Sequence, residues 1–339
     1  MSSPSIKRLL LLLVFMGVSQ IFAQSNPKEV VAKKGDGIYT ILSRNGLNSD
    51  TYFAEFVELN KKNIGKNYSL YEGRKYLLPE KKINESSSSV GKNKIIRNYA
   101  IFGPDYSNVE IIDNSLKGAI YYLMAGHGGP DPGALGKYGK YTLSEDEYAY
   151  DVTIRLARKL IEHNALVYLI VRDNNDGIRD EPVLKMDQDE TVYKDKSIPR
   201  NHNARLKQRT KVVNNLYAKN KGAYQRLITI HVDSRGQGEN LDVFFYHHEK
   251  SKSGKSLANN IHKTFKEKYA HYQPNRTYSG SVSSRSSLYV IRNTHPPTVF
   301  IELGNIRNGN DQRRFVIPDN RQALANWIGD GLILDYSYR

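Results

Sequence analysis

The sequence predicts an α/β protein: a mixed, largely parallel sheet with helices on both faces, preceded by a small unit of strand, helix, helix and strand. Three observations carry this. From about residue 96 onward, short apolar runs alternate with helical patterns, as in a sheet covered by helices. Residues 28–79 form a separate compact pattern, set off by a serine run. The 339 residues, 39% hydrophobic and 25% charged, suffice for one sizeable soluble core plus a small extra module.

In chain order, Lys7-Arg8 precede the ten apolar residues 9–18, and Ala23 ends the stretch before Gln24. This is the pattern of a secretory signal peptide over 1–23, cleaved after Ala23, because the apolar run is too short to span about 30 Å of hydrocarbon. The mature chain is therefore expected outside the cytoplasm, periplasmic or extracellular and associated with the cell wall, without stable membrane insertion. The formal net charge of +15 concentrates polyanions of any kind. Export, and the lack of a basic strip interleaved with stacking aromatics, argues against nucleic acid as the partner. With no cysteine in the chain, thiol nucleophiles, thiolate ligands and disulfides are excluded, and any metal site must use His, Asp or Glu.

Within 28–79, Val30-Val31 reads as a strand, Ile38 to Leu42 as a helix start, Phe53 to Leu59 as a second helix and Tyr76 to Pro79 as a closing strand. Gly35-Asp36, Ile41, Leu59-Asn60, Leu70, Gly73 and Leu77-Leu78-Pro79 fall in the order of a LysM module, which this stretch resembles. The resemblance implies a βααβ fold that binds N-acetylglucosamine-containing glycans such as peptidoglycan. Gly37 stands where that module has a hydroxyl residue. Residues 80–95, with Ser86 to Ser89, read as a flexible linker, so the main domain spans 96–339.

In the main domain, 118–124, 166–171, 227–230, 241–246, 288–291 and 298–301 are strand-like, and helical patterns cover about 146–163, 203–219, 253–269 and 319–335. Ligands in such folds gather at the carboxyl ends of strands. His127 follows the first strand inside the glycine-rich stretch 124–133, His231 follows 227–230, and Glu302 follows 298–301. Two imidazoles and a carboxylate suit zinc or a similar borderline metal. A further acid comes from Leu143-Ser-Glu-Asp-Glu147, where Ser144 reads as the helix N-cap. Glu147 fits the return arm of a capping box from Ser144, so Glu145 is the favoured ligand of the two. The histidines at 163, 202, 262 and 271 read as surface residues.

Taken together, Gly126-His-Gly-Gly-x-Asp-Pro-Gly133, the acid opening a helix, Arg209 with Asn214 or Asn215, Ile230-His231 and Pro297 with Glu302-Leu-Gly304 resemble the zinc-dependent N-acetylmuramoyl-L-alanine amidases of the amidase 3 family. The resemblance implies a peptidoglycan hydrolase cleaving the amide between N-acetylmuramic acid and L-alanine. It implies zinc on His127, Glu145 and His231, with Glu302 as catalytic base and acid. No activator protein is identified. Met124 stands where the family has Asp, which removes one expected partner of the metal site. The acidic stretch between Arg172 and Arg209 replaces a short loop and reads as a lid over the cleft. The alternatives are a catalytically degenerate peptidoglycan-binding protein on the amidase fold, and a zinc peptidase acting on another amide.

Overall fold

A computed structural model describes residues 28–81, 95–234 and 240–339. The stretch 1–23, read from the sequence as a signal peptide, and nearly all of 80–95, read as a linker, lie outside the described residues. In the N-terminal unit, β1 (Glu29–Val31) pairs antiparallel with β2 (Lys75–Leu77), and α1 (Ile38–Arg44) and α2 (Ser49–Asn60) lie between them in the chain. Ile41, Leu42, Phe56 and Tyr76 fill its core. Asn60 locks the second helix to the closing strand: its amide donates to the Leu77 carbonyl and its oxygen accepts from the Leu77 N–H, both at 2.8 Å.

The main domain begins with a hairpin, β3 (Ile96–Asn98) and β4 (Asn108–Glu110), followed by β5 (Ala119–Ala125). A second hairpin, β6 (Leu135–Tyr138) and β7 (Tyr141–Ser144), leads into α3 (Glu145–Glu162) and β8 (Leu166–Leu169). A small antiparallel sheet of β9 (Val171–Arg172), β10 (Thr191–Val192) and β11 (Lys196–Ser197) precedes α4 (His202–Lys219). Then come β12 (Tyr224–Asp233), β13 (Phe244–His247), α5 (Lys252–Tyr272), β14 (Ser281–Ser284), α6 (Tyr289–Asn293), β15 (Thr298–Asn305), α7 (Gly309–Val316) and α8 (Pro318–Ser337).

The central sheet has the order β14-β13-β15-β12-β5-β8. Strands β8, β5, β12 and β15 are parallel neighbours, and β13 is antiparallel to β15. The chain crosses from β5 to β8 through α3, then returns past β5 to β12 through α4. Parallel crossovers are right-handed, so this reversal of direction puts α3 and α4 on opposite faces. The second of these faces also carries α6 against α4, while on the first α8 packs between α3 and α5. Helices therefore cover both faces, as the alternating pattern predicts. Among the described residues, no helix is long and apolar enough to cross a membrane.

Two stretches depart from the sequence reading. Leu288 to Ile291, read as a strand, instead supplies the N-cap and the first three residues of α6, with Val290 and Ile291 buried. A four-residue apolar run has no periodicity to separate a helix turn from a strand. The edge strand is instead the polar Ser281–Ser284, which pairs with β13 and is not fully buried at any position.

The N-terminal unit is docked on the main domain. Asp319, at the start of α8, accepts from the Thr40 N–H at 2.8 Å. The buried Asn326 amide donates to Ser49 Oγ at 2.7 Å, and Arg44 lies 3.3 Å from Asp180. Gly37 is required by this approach, since a Cβ there would stand 2.3 Å from Asp319 Cγ. The hydroxyl residue of the LysM pattern has no room at this position. The reading of a unit held apart behind a linker does not anticipate this contact.

Candidate active site

At the carboxyl end of β5 the backbone turns sharply, with His127 at φ +58°. This left-handed conformation costs a non-glycine residue on the order of 1 kcal/mol and persists only where surrounding contacts fix it. Four contacts do so. His127 Nδ1 lies 3.0 Å from Asp131 Oδ2, and Gly128 N donates to the Asp131 carbonyl at 2.8 Å. Arg209 of α4 donates to the His127 carbonyl, and Glu190 accepts from the Gly129 N–H at 2.6 Å. Arg205 in turn pairs with Asp131 at 2.5 Å, fixing the carboxylate that faces the imidazole.

His231 reaches the same place from β12. In the parallel register Ala125 lies beside Ile230 and His231 beside Glu302. The His231 ring stacks on Phe300 of β15, centroids 4.1 Å apart and planes 13° from parallel. Glu145, the first residue of α3, stands between the two imidazoles. Its Oε2 is 3.2 Å from His127 Nε2 and its Oε1 is 2.9 Å from His231 Nδ1. The space is reserved by two glycines. A Cβ on Gly126 would lie 2.4 Å from the His231 ring, and one on Gly133 would lie 2.6 Å from Glu145 Oε2 and 2.7 Å from the His127 ring.

Electrostatics follow from this packing. Burial works against charge on His127, but the bonds from Asp131 and Glu145 overcome it and raise its pKa to about 10. Burial opposes ionisation of Glu145 too, and the two imidazoles outweigh it, holding the carboxyl well below its usual range. His231, deeper in the site, is lowered by burial. The hydrogen bond from His127 holds Asp131 below the ordinary carboxylate range.

Of the residues the sequence singles out, His127, Glu145 and His231 come together, each offering a ligand atom within 4.8 Å of the other two. Glu302 is on the adjacent strand beside His231 and is 9% exposed. Glu147 points elsewhere: it lies 2.8 Å from Arg179, and burial raises its pKa to about 7. Ser144 does occupy the N-cap of α3 but makes no side-chain capping bond, so the capping box is not formed. Met124 is buried in the sheet, and Asp131 supplies His127 with the carboxylate partner that position 124 lacks. His163, read as a surface residue, is buried against Asp113 at 2.9 Å.

Two supporting residues are missed in the sequence. Asp131 is visible within the glycine-rich motif, but its bond to His127 depends on the left-handed turn. Glu190 sits among many acids in the 172–209 stretch, and nothing marks it out. That stretch is anchored by buried charge: Arg179 reaches Glu147, while Asp180 meets Arg155 at 3.0 Å and the Tyr106 hydroxyl at 2.7 Å.

Two imidazoles and one carboxylate, half-buried to buried, form a donor set of the kind that binds catalytic zinc with a position left for water. The Asp131 carboxylate on His127 Nδ1 is the support that orients a ligating imidazole. The residues present therefore fit a zinc ion.

Residues 122–333 match the family profile described as N-acetylmuramoyl-L-alanine amidase. The chain is 26% identical over 221 residues to the germination-specific N-acetylmuramoyl-L-alanine amidase of Bacillus subtilis (strain 168), covering 64% of this chain and 80% of that protein. It is 24% identical over 238 residues to the "Probable cell wall amidase LytH" of Staphylococcus aureus, covering 68% of this chain and 65% of that protein, just under two thirds of its length. Among solved structures, the CwlD amidase from Clostridioides difficile, in complex with the GerS lipoprotein, aligns at a TM-score of 0.48 and 24% identity over 65% of this chain and 99% of that one.

Proposed function

From the premise that this chain belongs to the N-acetylmuramoyl-L-alanine amidase family, we propose that it is an exported peptidoglycan hydrolase cleaving the amide between N-acetylmuramic acid and L-alanine. The observation that carries the reading is the convergence of His127, Glu145 and His231 at the strand ends, with Glu302 beside His231. In this reading those three residues hold zinc. When bound, zinc supplies Lewis acidity that makes the amide carbonyl more electrophilic and water more acidic. Glu302 accepts a proton from the attacking water and delivers it to the leaving nitrogen, which an amide needs because its amine is a poor leaving group. Asp131 and Arg209 keep His127 in its turn, and the Phe300 ring fixes the plane of His231.

The N-terminal unit is proposed to be a LysM module, a reading its βααβ order and the Asn60 lock support. It would hold the enzyme on glycan and raise the local substrate concentration. The alternative of a degenerate binding protein takes its support from Met124, and the bond between His127 and Asp131 weakens that support. The test is metal analysis paired with turnover on purified sacculi. Wild type and Glu302→Gln should each bind one zinc per chain, while the variant loses peptide release by about 10²-fold or more. Full release by the variant would remove Glu302 from the mechanism.

A further inference from the structure

Next to the His127 turn a second group of acids converges. Asp146 and Glu147, in the first turn of α3, and Glu190, just before β10, are all buried, and each offers a carboxylate oxygen within 4.8 Å of the other two. Two of the three are held by donors. Glu147 Oε1 accepts from the Asp187 N–H at 3.0 Å and its Oε2 lies 2.8 Å from Arg179, while Glu190 Oε2 accepts from the Gly129 N–H at 2.6 Å. Asp146 differs. Its Oδ1 accepts from the Glu147 N–H at 2.9 Å, but its Oδ2 is buried with no hydrogen-bond partner, on a residue only 1% exposed. Ser144 Oγ, near enough to act on this carboxyl, is buried and unpartnered as well. The charge is also uncompensated. Arg179 is shared by Glu147 and Asp176, and among the described residues no lysine or arginine pairs with Asp146 or Glu190. The N-terminus of α3 supplies about half a unit of positive charge, too little for two further carboxylates.

We propose that Asp146, Glu147 and Glu190 hold a hard divalent cation, calcium or magnesium, distinct from the zinc proposed on His127, Glu145 and His231. Buried carboxylates need a compensating cation, and these donors are all oxygen, the set that hard cations take. Asp146 Oδ2 is the ligand with no other partner, and Glu147 and Glu190 keep lone pairs beyond the bonds they already accept. Glu145 stays with the imidazoles, because successive helical positions do not face the same way. The ion would join three pieces of chain: the first turn of α3, the acidic stretch through Glu190, and the left-handed turn of His127 through the Glu190 bond to Gly129. It acts as a structural clasp, and the inference does not depend on the amidase reading.

The experiment is calorimetric titration of the zinc-loaded full chain with calcium chloride and with magnesium chloride, paired with thermal unfolding. It is repeated after zinc removal, so that failure of the zinc site leaves the result readable. Asp146→Asn and Glu190→Gln remove ligand charge and keep bulk. Asp187→Asn is the control, because Asp187 lies in a neighbouring acidic group with Asp173 and Asp176. The expected result is saturable binding of one of the two ions, raising the unfolding midpoint by about 5 °C at a hundredfold excess over Kd. Affinity should fall about tenfold or more in Asp146→Asn and Glu190→Gln and be kept in Asp187→Asn. In chelator both neutralised variants should unfold no earlier than wild type, since they relieve repulsion; either one, folded, suffices. No saturable binding of either ion, or undiminished affinity in a folded neutralised variant, would overturn the proposal. Loss in Asp187→Asn alone would overturn it too, by placing the ion on the neighbouring group.

Discussion

Asp131 gives the metal site its most direct residue-scale prediction. By holding His127 Nδ1 it fixes both the ring plane and the nitrogen that faces Glu145. Asp131→Asn should weaken zinc affinity about 10–100-fold with the fold intact, as read by competition with a chromophoric chelator. Unchanged affinity would mean the turn alone orients the imidazole. Gly126→Ala should be worse, because its methyl would meet the His231 ring at 2.4 Å. His127, His231 and Glu302 are legible in the sequence because each follows an apolar run, and strand ends converge in a parallel sheet. Glu145 and Glu147 are harder to separate, since both sit in the first turn of one helix. The structure separates them by partner: Glu145 faces the imidazoles, and Glu147 faces Arg179.

The acidic stretch between β9 and α4 acts at the scale of elements. Its Arg179 compensates Glu147, whose side chain is 2% exposed. Removing one partner of a buried pair typically costs about 3–5 kcal/mol, whereas replacing both with apolar or neutral groups can be close to neutral. Arg179→Ala should therefore lower the unfolding midpoint markedly, and Glu147→Gln with Arg179→Met should restore much of it. Equal loss in single and double variants would show that Arg179 acts otherwise. The joint between α1 and α8 adds a pH dependence. Burial raises Asp319 from 3.8 to about 7 against the opposing bond from Thr40 N. A carboxyl whose folded pKa exceeds its unfolded one favours folding below the unfolded value, and that contribution is lost as pH rises through about 7. Asp319→Asn should flatten the fall in stability between about pH 4 and 7 in urea denaturation. An unchanged slope would contradict the assignment. The long helices are legible where an eighteen-residue stretch carries a clear amphipathic pattern, as in α3. Leu288 to Ile291 is too short for that, and Ser281–Ser284 shows no apolar alternation because it lies at the sheet edge.

At the scale of the whole molecule, the chain docks a small N-terminal unit on the body that carries the metal-type site. The sequence shows two units and a polar stretch between them, but not their contact, because Gly37 and Thr40 are far from Asp319 in the chain and carry no local pattern of docking. In the proposed reaction the His127, Glu145 and His231 site, with Glu302, cleaves the bond between N-acetylmuramic acid and L-alanine. Mass spectrometry of the products from a defined muropeptide tests it most directly, with chelated, zinc-restored and Glu302→Gln protein alongside. The expected products are a free stem peptide beginning with L-alanine and an intact peptide-free sugar, lost on chelation, regained with zinc and absent with Glu302→Gln. Cleavage within the peptide, or between sugars, or undiminished release by Glu302→Gln, would contradict it.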